Sequence, residues 1–331
     1  VTPTVDVEID LVSMQTGATS EVVYNVVNAH ASAIRVFMLI LGGSDITDAM
    51  VSTYTCTTVA ALDDVTVTAG FGKPELCFFS SASANSDSGN DGQTHFGMGR
   101  QGVAGQGFTF AQDNANTNSV TAMSQRSDRC VLLVTQAGAL DYIGGLDTTV
   151  SNWPTDGFRV VYDANPGFAE PINYLALRGT FQSASGANTA LTAGSTQDNA
   201  CGFVPKVGLL FGWNLAASAS VQTAAADQCG FGIGAYDGTQ ESWCGYTEDD
   251  ALGTMDANSQ NSTAKVIRNY SPAAALQSEA DGAFSGNNFQ LNWTDLDTVA
   301  REYQWLALGD AAAAAATSLI WQPARSSLYG R

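Results

Sequence analysis

Apolar residues recur at every second position along much of this chain. Val5, Val7, Ile9 and Leu11 alternate with Asp6, Glu8 and Asp10, the pattern of a strand with one buried and one wet face. Phe158, Val160 and Tyr162 alternate with Arg159, Val161 and Asp163, and Phe289, Leu291 and Trp293 alternate with Gln290, Asn292 and Thr294. Continuous apolar runs over Phe37–Leu41 and Cys130–Val134 predict strands covered on both faces. Loops rich in Ser, Asn, Asp and Gly separate these segments, as at residues 80–92 and 253–262. No amphipathic helix of ordinary length is written here. The alanine run 311–316 has helix propensity, but nothing in it specifies a buried face.

The strand pattern also repeats over a long interval. Gly70-Phe71-Gly72-Lys73-Pro74-Glu75-Leu76-Cys77-Phe78-Phe79 is echoed by Gly202-Phe203-Val204-Pro205-Lys206-Val207-Gly208-Leu209-Leu210-Phe211, offset by 132. Phe96-Gly97-Met98-Gly99 is echoed by Phe231-Gly232-Ile233-Gly234, offset by 135. Asp156–Val160 and Tyr174–Leu177 return at Asn287–Leu291 and Trp305–Leu308, both offset by 131. Four landmarks in one order at near-constant offset predict an internal duplication.

The expected fold is all-β: two tandem antiparallel, jelly-roll-like β-sandwich modules of seven to nine strands each, with extended terminal arms. Residues 1–43 read as strands that complete a sandwich or pair with a neighbour, because Val36–Gly42 resembles the closing strand of each module. Residues 44–179 form the first module, 180–310 the second and 311–331 a C-terminal arm. Phe71, Phe79, Phe96, Phe158 and Tyr174 are the expected first core, and Phe203, Phe211, Phe231, Phe289 and Trp305 the second. The glycines around Phe96 and Phe231 are expected to let strands bend or approach closely.

Composition narrows the function. Asp outnumbers Glu by 24 to 8, Gly contributes 33 residues and Lys only three, a balance suited to turns and strands rather than helices. The net charge of −19 argues against phosphate-driven nucleic-acid binding and against a polybasic membrane anchor. No apolar stretch is long enough for a helical membrane span. The start at Val1, with no leader-like segment, reads as cytosolic synthesis. Six cysteines without a CxxC pair or zinc spacing are expected to be buried free thiols.

Candidate chemistry is sparse. Only His30 and His95 could serve a Ser-His-Asp arrangement, and His95 reads as a surface or sheet-edge residue. No nucleophile elbow, HExxH helix or phosphate loop occurs. Asp63-Asp64, Glu248-Asp249-Asp250, Asp295 with Asp297, and the Asp87–Gly92 loop read as solvated turns. They imply no cofactor, while leaving room for a structural calcium ion in a loop. Two features suit binding. Leu319, Ile320 and Trp321 followed by Arg325 and Arg331 read as a docking arm on an otherwise acidic chain, or as a strand folded back on its own module. Among Trp153, Trp213 and Trp243, Trp243 is the expected exposed aromatic for a glycan.

The ordered set Gly202–Gly212, Gly230–Gly234, Asn288–Thr294 and Ala300–Gly309 resembles a module of tailed-bacteriophage virion proteins. The copy over Gly70–Gly179 is more divergent, with Lys-Pro where the second copy has Pro-Lys. The resemblance covers about two thirds of the chain and implies a structural, non-enzymatic role with no catalytic residue carried over. Its implied partners are other copies of the chain and other virion proteins, with no nucleic acid and no membrane. The implied location is the virion, after synthesis in the host cytoplasm. An outer head decoration or fibre suits the acidity. A tail-tube or baseplate position, or a fibre module that binds a host-surface glycan, is the alternative. A sandwich-fold glycosidase is the weakest alternative, because no carboxylate pair recurs at matching positions in the two copies.

Overall fold

A computed structural model describes residues 8–15, 21–28, 41–58, 61–82, 94–102, 108–114, 121–134, 140–164, 169–212, 222–223, 229–248, 257–271, 274–298 and 301–312. Strands dominate the described residues; the helical content is one short 3-10 turn at Val150–Asn152. β1 (Glu8–Gln15) and β2 (Glu21–Asn28) form an antiparallel hairpin that pairs with no other described strand. Most of the Val36–Gly42 segment expected to close a sandwich lies outside the described residues.

The first half comprises β3 (Ile46–Thr55), β4 (Leu62–Thr66), β5 (Leu76–Ala82), β6 (Thr94–Arg100) and β7 (Phe108–Asn114). It continues with β8 (Thr121–Arg126), β9 (Val131–Val134), β10 (Leu140–Leu146), β11 (Gly157–Ala164) and β12 (Pro171–Gly179). The second half comprises β13 (Gln182–Thr189), β14 (Thr196–Ala200), β15 (Val207–Gly212), β16 (Gln222–Thr223), β17 (Cys229–Tyr236) and β18 (Glu241–Glu248). It ends with β19 (Ala257–Ser262), β20 (Ile267–Tyr270), β21 (Leu276–Ser285), β22 (Asn288–Asp295) and β23 (Glu302–Gly309).

The two halves have the same strand order. In the first, a large sheet runs β8-β7-β6-β5-β12-β3 and a small one β4-β11-β10-β9. In the second, the large sheet runs β19-β18-β17-β15-β23-β13 and the small one β14-β22-β21-β20. Each half thus repeats ten strands, more than the seven to nine expected. The additional strand, β16, leaves the second half and pairs antiparallel with β8, which makes the first large sheet seven-stranded.

Register corrects the residue equivalences read from the sequence. Phe79 and Leu210 stand opposite Tyr174 and Trp305, so Phe79 corresponds to Leu210 rather than to Phe211. Gly97 stands opposite Phe79 and Gly234 opposite Leu210, so Gly97 corresponds to Gly234 and not to Gly232. The reason is steric. A Cβ on Gly97 would lie 2.0 Å from the carbonyl oxygen of Cys130, and one on Gly234 would lie 1.9 Å from that of Val266. The chain entering the small sheet crosses the large one at the same point in both halves, and only glycine leaves room for it.

Each sandwich has its own core. Phe71, Phe79, Phe158 and Tyr174 pack with Val65, Val160 and Ile172 in the first. Phe203, Phe289 and Trp305 pack with Leu210, Leu291 and Trp293 in the second. Phe96, Phe211 and Phe231 do not belong to these cores. A third cluster joins the outer faces of the two large sheets through Leu76, Phe78, Met98, Leu177, Leu209, Phe211, Leu306 and Leu308, with Phe96 packed against it. Phe96 lies 5.8 Å from Phe211 and 6.1 Å from Phe231, centroid to centroid. Alternation explains the division, since Phe79 points inward and its neighbour Phe78 must then point to the opposite face.

The result is four layers: small sheet, large sheet, large sheet, small sheet. At roughly 1.5–3 kcal/mol per buried side chain, the eight buried residues of the middle layer contribute about 12–24 kcal/mol before entropy is counted.

Candidate interaction surfaces

Trp243, expected to be exposed, is 2 % exposed and belongs to the second core. It stands opposite Gly234 on β17, and its indole fills the space that side chains on the neighbouring glycines would take. A Cβ on Gly232 would meet its ring carbons at 2.1 and 2.2 Å. Trp153 is also buried and donates its indole N–H to the Asp147 carbonyl at 2.7 Å. Neither indole can form an exposed glycan platform. Trp213, His30 and the predicted arm residues Leu319, Ile320, Trp321, Arg325 and Arg331 lie outside the described residues. The exit toward that arm is tied down, because the Ala311 N–H donates to Asp45 Oδ2 at 2.9 Å.

His95 is not a surface residue. It is 3 % exposed, its Nε2 lies 3.2 Å from the Cys130 carbonyl, and burial pushes its pKa down to about 3. In the second half its position is taken by Gly232, whose missing side chain admits Trp243.

The acidic pairs are occupied in different ways. Asp63 Oδ2 accepts the Tyr162 hydroxyl at 2.8 Å and the Thr57 N–H at 3.0 Å. Asp64 points the other way and pairs with Arg159 at 2.6 Å, which holds its carboxyl below the usual range. Asp297 is buried against Arg301 at 2.7 Å, while Asp295 is exposed. Asp87, Asp91, Asp249 and Asp250 lie outside the described residues. Among the described residues no group of three or more metal-ligating side chains converges, and no helix is long and apolar enough to cross a membrane.

One end of the first core is polar. The Tyr54 and Tyr162 hydroxyls lie 3.3 Å apart, and Cys56 accepts the Glu170 N–H at 3.3 Å. Burial pushes the Cys56 thiol up to about 11 and that of Cys130 to about 12, so both stay protonated at neutral pH. Cys56, Cys77, Cys130, Cys201 and Cys244 are free thiols. The second half keeps the contacts and changes the chemistry: Trp293 donates to Gln197 at 3.2 Å where Tyr162 donates to Asp63. The Cys56 and Ala190 N–H groups bond the carbonyls of Glu170 and Arg301 in the same way. These groups hold the ends of the sandwiches closed.

A shallow surface depression of about 470 Å³ lies between Gln182, Phe203, Val204, Lys206, Asn287 and Asp310. Its charged residues face each other, with Lys206 3.5 Å from Asp310.

The sheet edges differ more between the halves. β3 and β13 are the corresponding outer strands of the large sheets. Cys56 N–H bonds Glu170 C=O, and the β3–β12 register is regular from Thr55 to Asp48. Backbone groups alternate along a strand, so Ala49, Val51, Thr53 and Thr55 turn their N–H and C=O groups to the outer edge. On β13 the same argument, from the Ala190 bond to Arg301, turns Ser183, Ser185, Ala187 and Thr189 outward. Arg100 of the first half caps one end of that second edge. Its guanidinium bonds the Ser183 carbonyl and hydroxyl and, at 3.3 Å, the Ser185 hydroxyl. The residue corresponding to Arg100 is Asp237, which has no proton to donate to β3. Among the described residues no strand lies beside the β3 edge, and Val51 is 73 % exposed.

Comparison of the chain with protein-family models, with curated proteins and with solved structures finds no match.

Proposed function

We propose that the chain is a non-enzymatic structural component of a tailed-bacteriophage virion, an outer head decoration or fibre protein. It acts by binding further copies of itself and neighbouring virion proteins. The observation that carries this reading is the four-layered body whose β3 edge, among the described residues, has no strand beside it. The repeated strand order supplies stiffness, the middle layer joins the halves, and an unprotected edge strand is a natural docking template. The net charge of −19 suits a solvated exterior, and the buried groups with shifted pKa values support packing, not substrate access. The decisive experiment is mass spectrometry of purified particles, followed by gold-labelled antibody imaging. The chain is expected on the head or a fibre at many copies per particle. Its absence from intact particles, or its retention with purified tails alone, overturns the placement.

A further inference from the structure

The geometry points to β3 as a self-association edge, on which β3 of a second copy adds antiparallel about a two-fold axis. This deepens the structural-protein reading and rests on it for one thing: a repeated assembly supplies the second copy at high local concentration. Five observations carry it.

The outward N–H and C=O groups of Ala49, Val51, Thr53 and Thr55 have no strand beside them among the described residues. The usual protections of an edge are missing. From Ala49 to Thr55 there is no proline, no charge and no bulge. At one end of the corresponding edge in the second half Arg100 caps the Ser183 carbonyl and bonds the Ser183 and Ser185 hydroxyls, a protection that the equivalent Asp237 side chain does not offer β3. The opposite edge of the same sheet is already extended by strand addition, through β16 on β8.

The sequence of β3 is also self-complementary. With Val51 on the two-fold axis, Val51 meets Val51 of the second copy, Ala49 meets Thr53, and Asp48 meets Tyr54, so no like charges face each other. Asp48 is moreover paired with Arg178 at 3.0 Å. An isologous contact of this kind closes at two copies. At −19 per copy the two bodies repel at long range, and salt screens that repulsion within about 10 Å at 0.1 M. Association through an uncharged strand therefore strengthens as salt is raised.

The test is sedimentation velocity on the full chain over about a hundredfold range of concentration, at low and high sodium chloride, with three variants. Val51→Pro removes an outward N–H and leaves the β12 ladder intact. Val51→Lys places two like charges across the axis. Val204→Lys, on an exposed residue elsewhere, is the control. The expected result is a dimer in the wild type and control, favoured by salt, with a dissociation constant raised about tenfold or more in both β3 variants. Melting temperatures taken at concentrations where the wild type is monomeric should match it. Should Val51→Pro fail to fold, Val51→Lys decides. A wild type that stays monomeric throughout, or a dimer untouched by the β3 substitutions, overturns the proposal. A monomer found in particles sinks the edge pairing alone, whereas a β3-dependent dimer absent from particles sinks the virion reading alone.

Discussion

Gly208 and Phe289 offer a sharp test of how the second sandwich is packed. Gly208 on β15 carries no side chain because the Phe289 ring occupies that space; a Cβ there would lie 2.6–2.7 Å from three ring carbons. Phe289 is fully buried, with the Phe284 ring 5.9 Å away. Phe289→Ala removes the ring and leaves a void, at a cost of about 3–5 kcal/mol. Gly208→Ala in the wild type forces the ring aside, at a cost of about 1–3 kcal/mol. In the double variant the new methyl enters the void instead of clashing, so the two costs do not add. The expected coupling is about 1–3 kcal/mol in favour of the double variant. Urea unfolding followed by tryptophan fluorescence suits the measurement, because Trp243, Trp293 and Trp305 all lie in this core. Additivity within about 0.5 kcal/mol would show that the glycine is not vacant for the ring's sake.

Two further predictions concern charge. His95 has its pKa lowered from 6.5 to about 3 by burial, so the unfolded chain takes up a proton in that window and the folded chain does not. At ~1.4 kcal/mol per pH unit, this stability is fully present above pH 6.5 and is lost as pH falls toward 3, with an upper bound of about 5 kcal/mol. His95→Gln should flatten the loss of stability between pH 6.5 and 4 relative to the wild type; parallel profiles would rule this out. Arg301→Met removes the ion pair with Asp297 at a site where both partners are buried and should cost about 3–5 kcal/mol. Arg159→Met breaks the solvent-exposed pair with Asp64 and should cost far less, because solvent screens the pair. Equal effects by chemical denaturation would contradict the difference in burial.

The β character and the twofold repetition of strands are legible in the sequence because side-chain alternation is a local property. Phe158, Val160 and Tyr162 can face one way only if the chain is extended, whatever surrounds it. Phe289, Leu291 and Trp293 repeat the statement in the second half, and both sets are buried where the pattern puts them. What a face packs against is not local. Phe78 and Phe79 are adjacent in sequence, yet one joins the two large sheets and the other fills the first sandwich. A period of two is unchanged by a slip of two residues, so the glycine-rich strands around Phe96 and Phe231 align equally well in either register. The carbonyls of Cys130 and Val266, crossing at Gly97 and Gly234, decide between them. Trp243 reads as a loop aromatic until three-dimensional contact shows Gly232 making room for it. The difference between the two edges is invisible in the same way: β3 and β13 are both uncharged over most of their length, and only the reach of Arg100 across to Ser183 caps one end of β13. The amino-acid order thus determines which residues alternate and how often the unit recurs, whereas contacts between residues far apart in the chain determine which faces, edges and cavities are left for a partner.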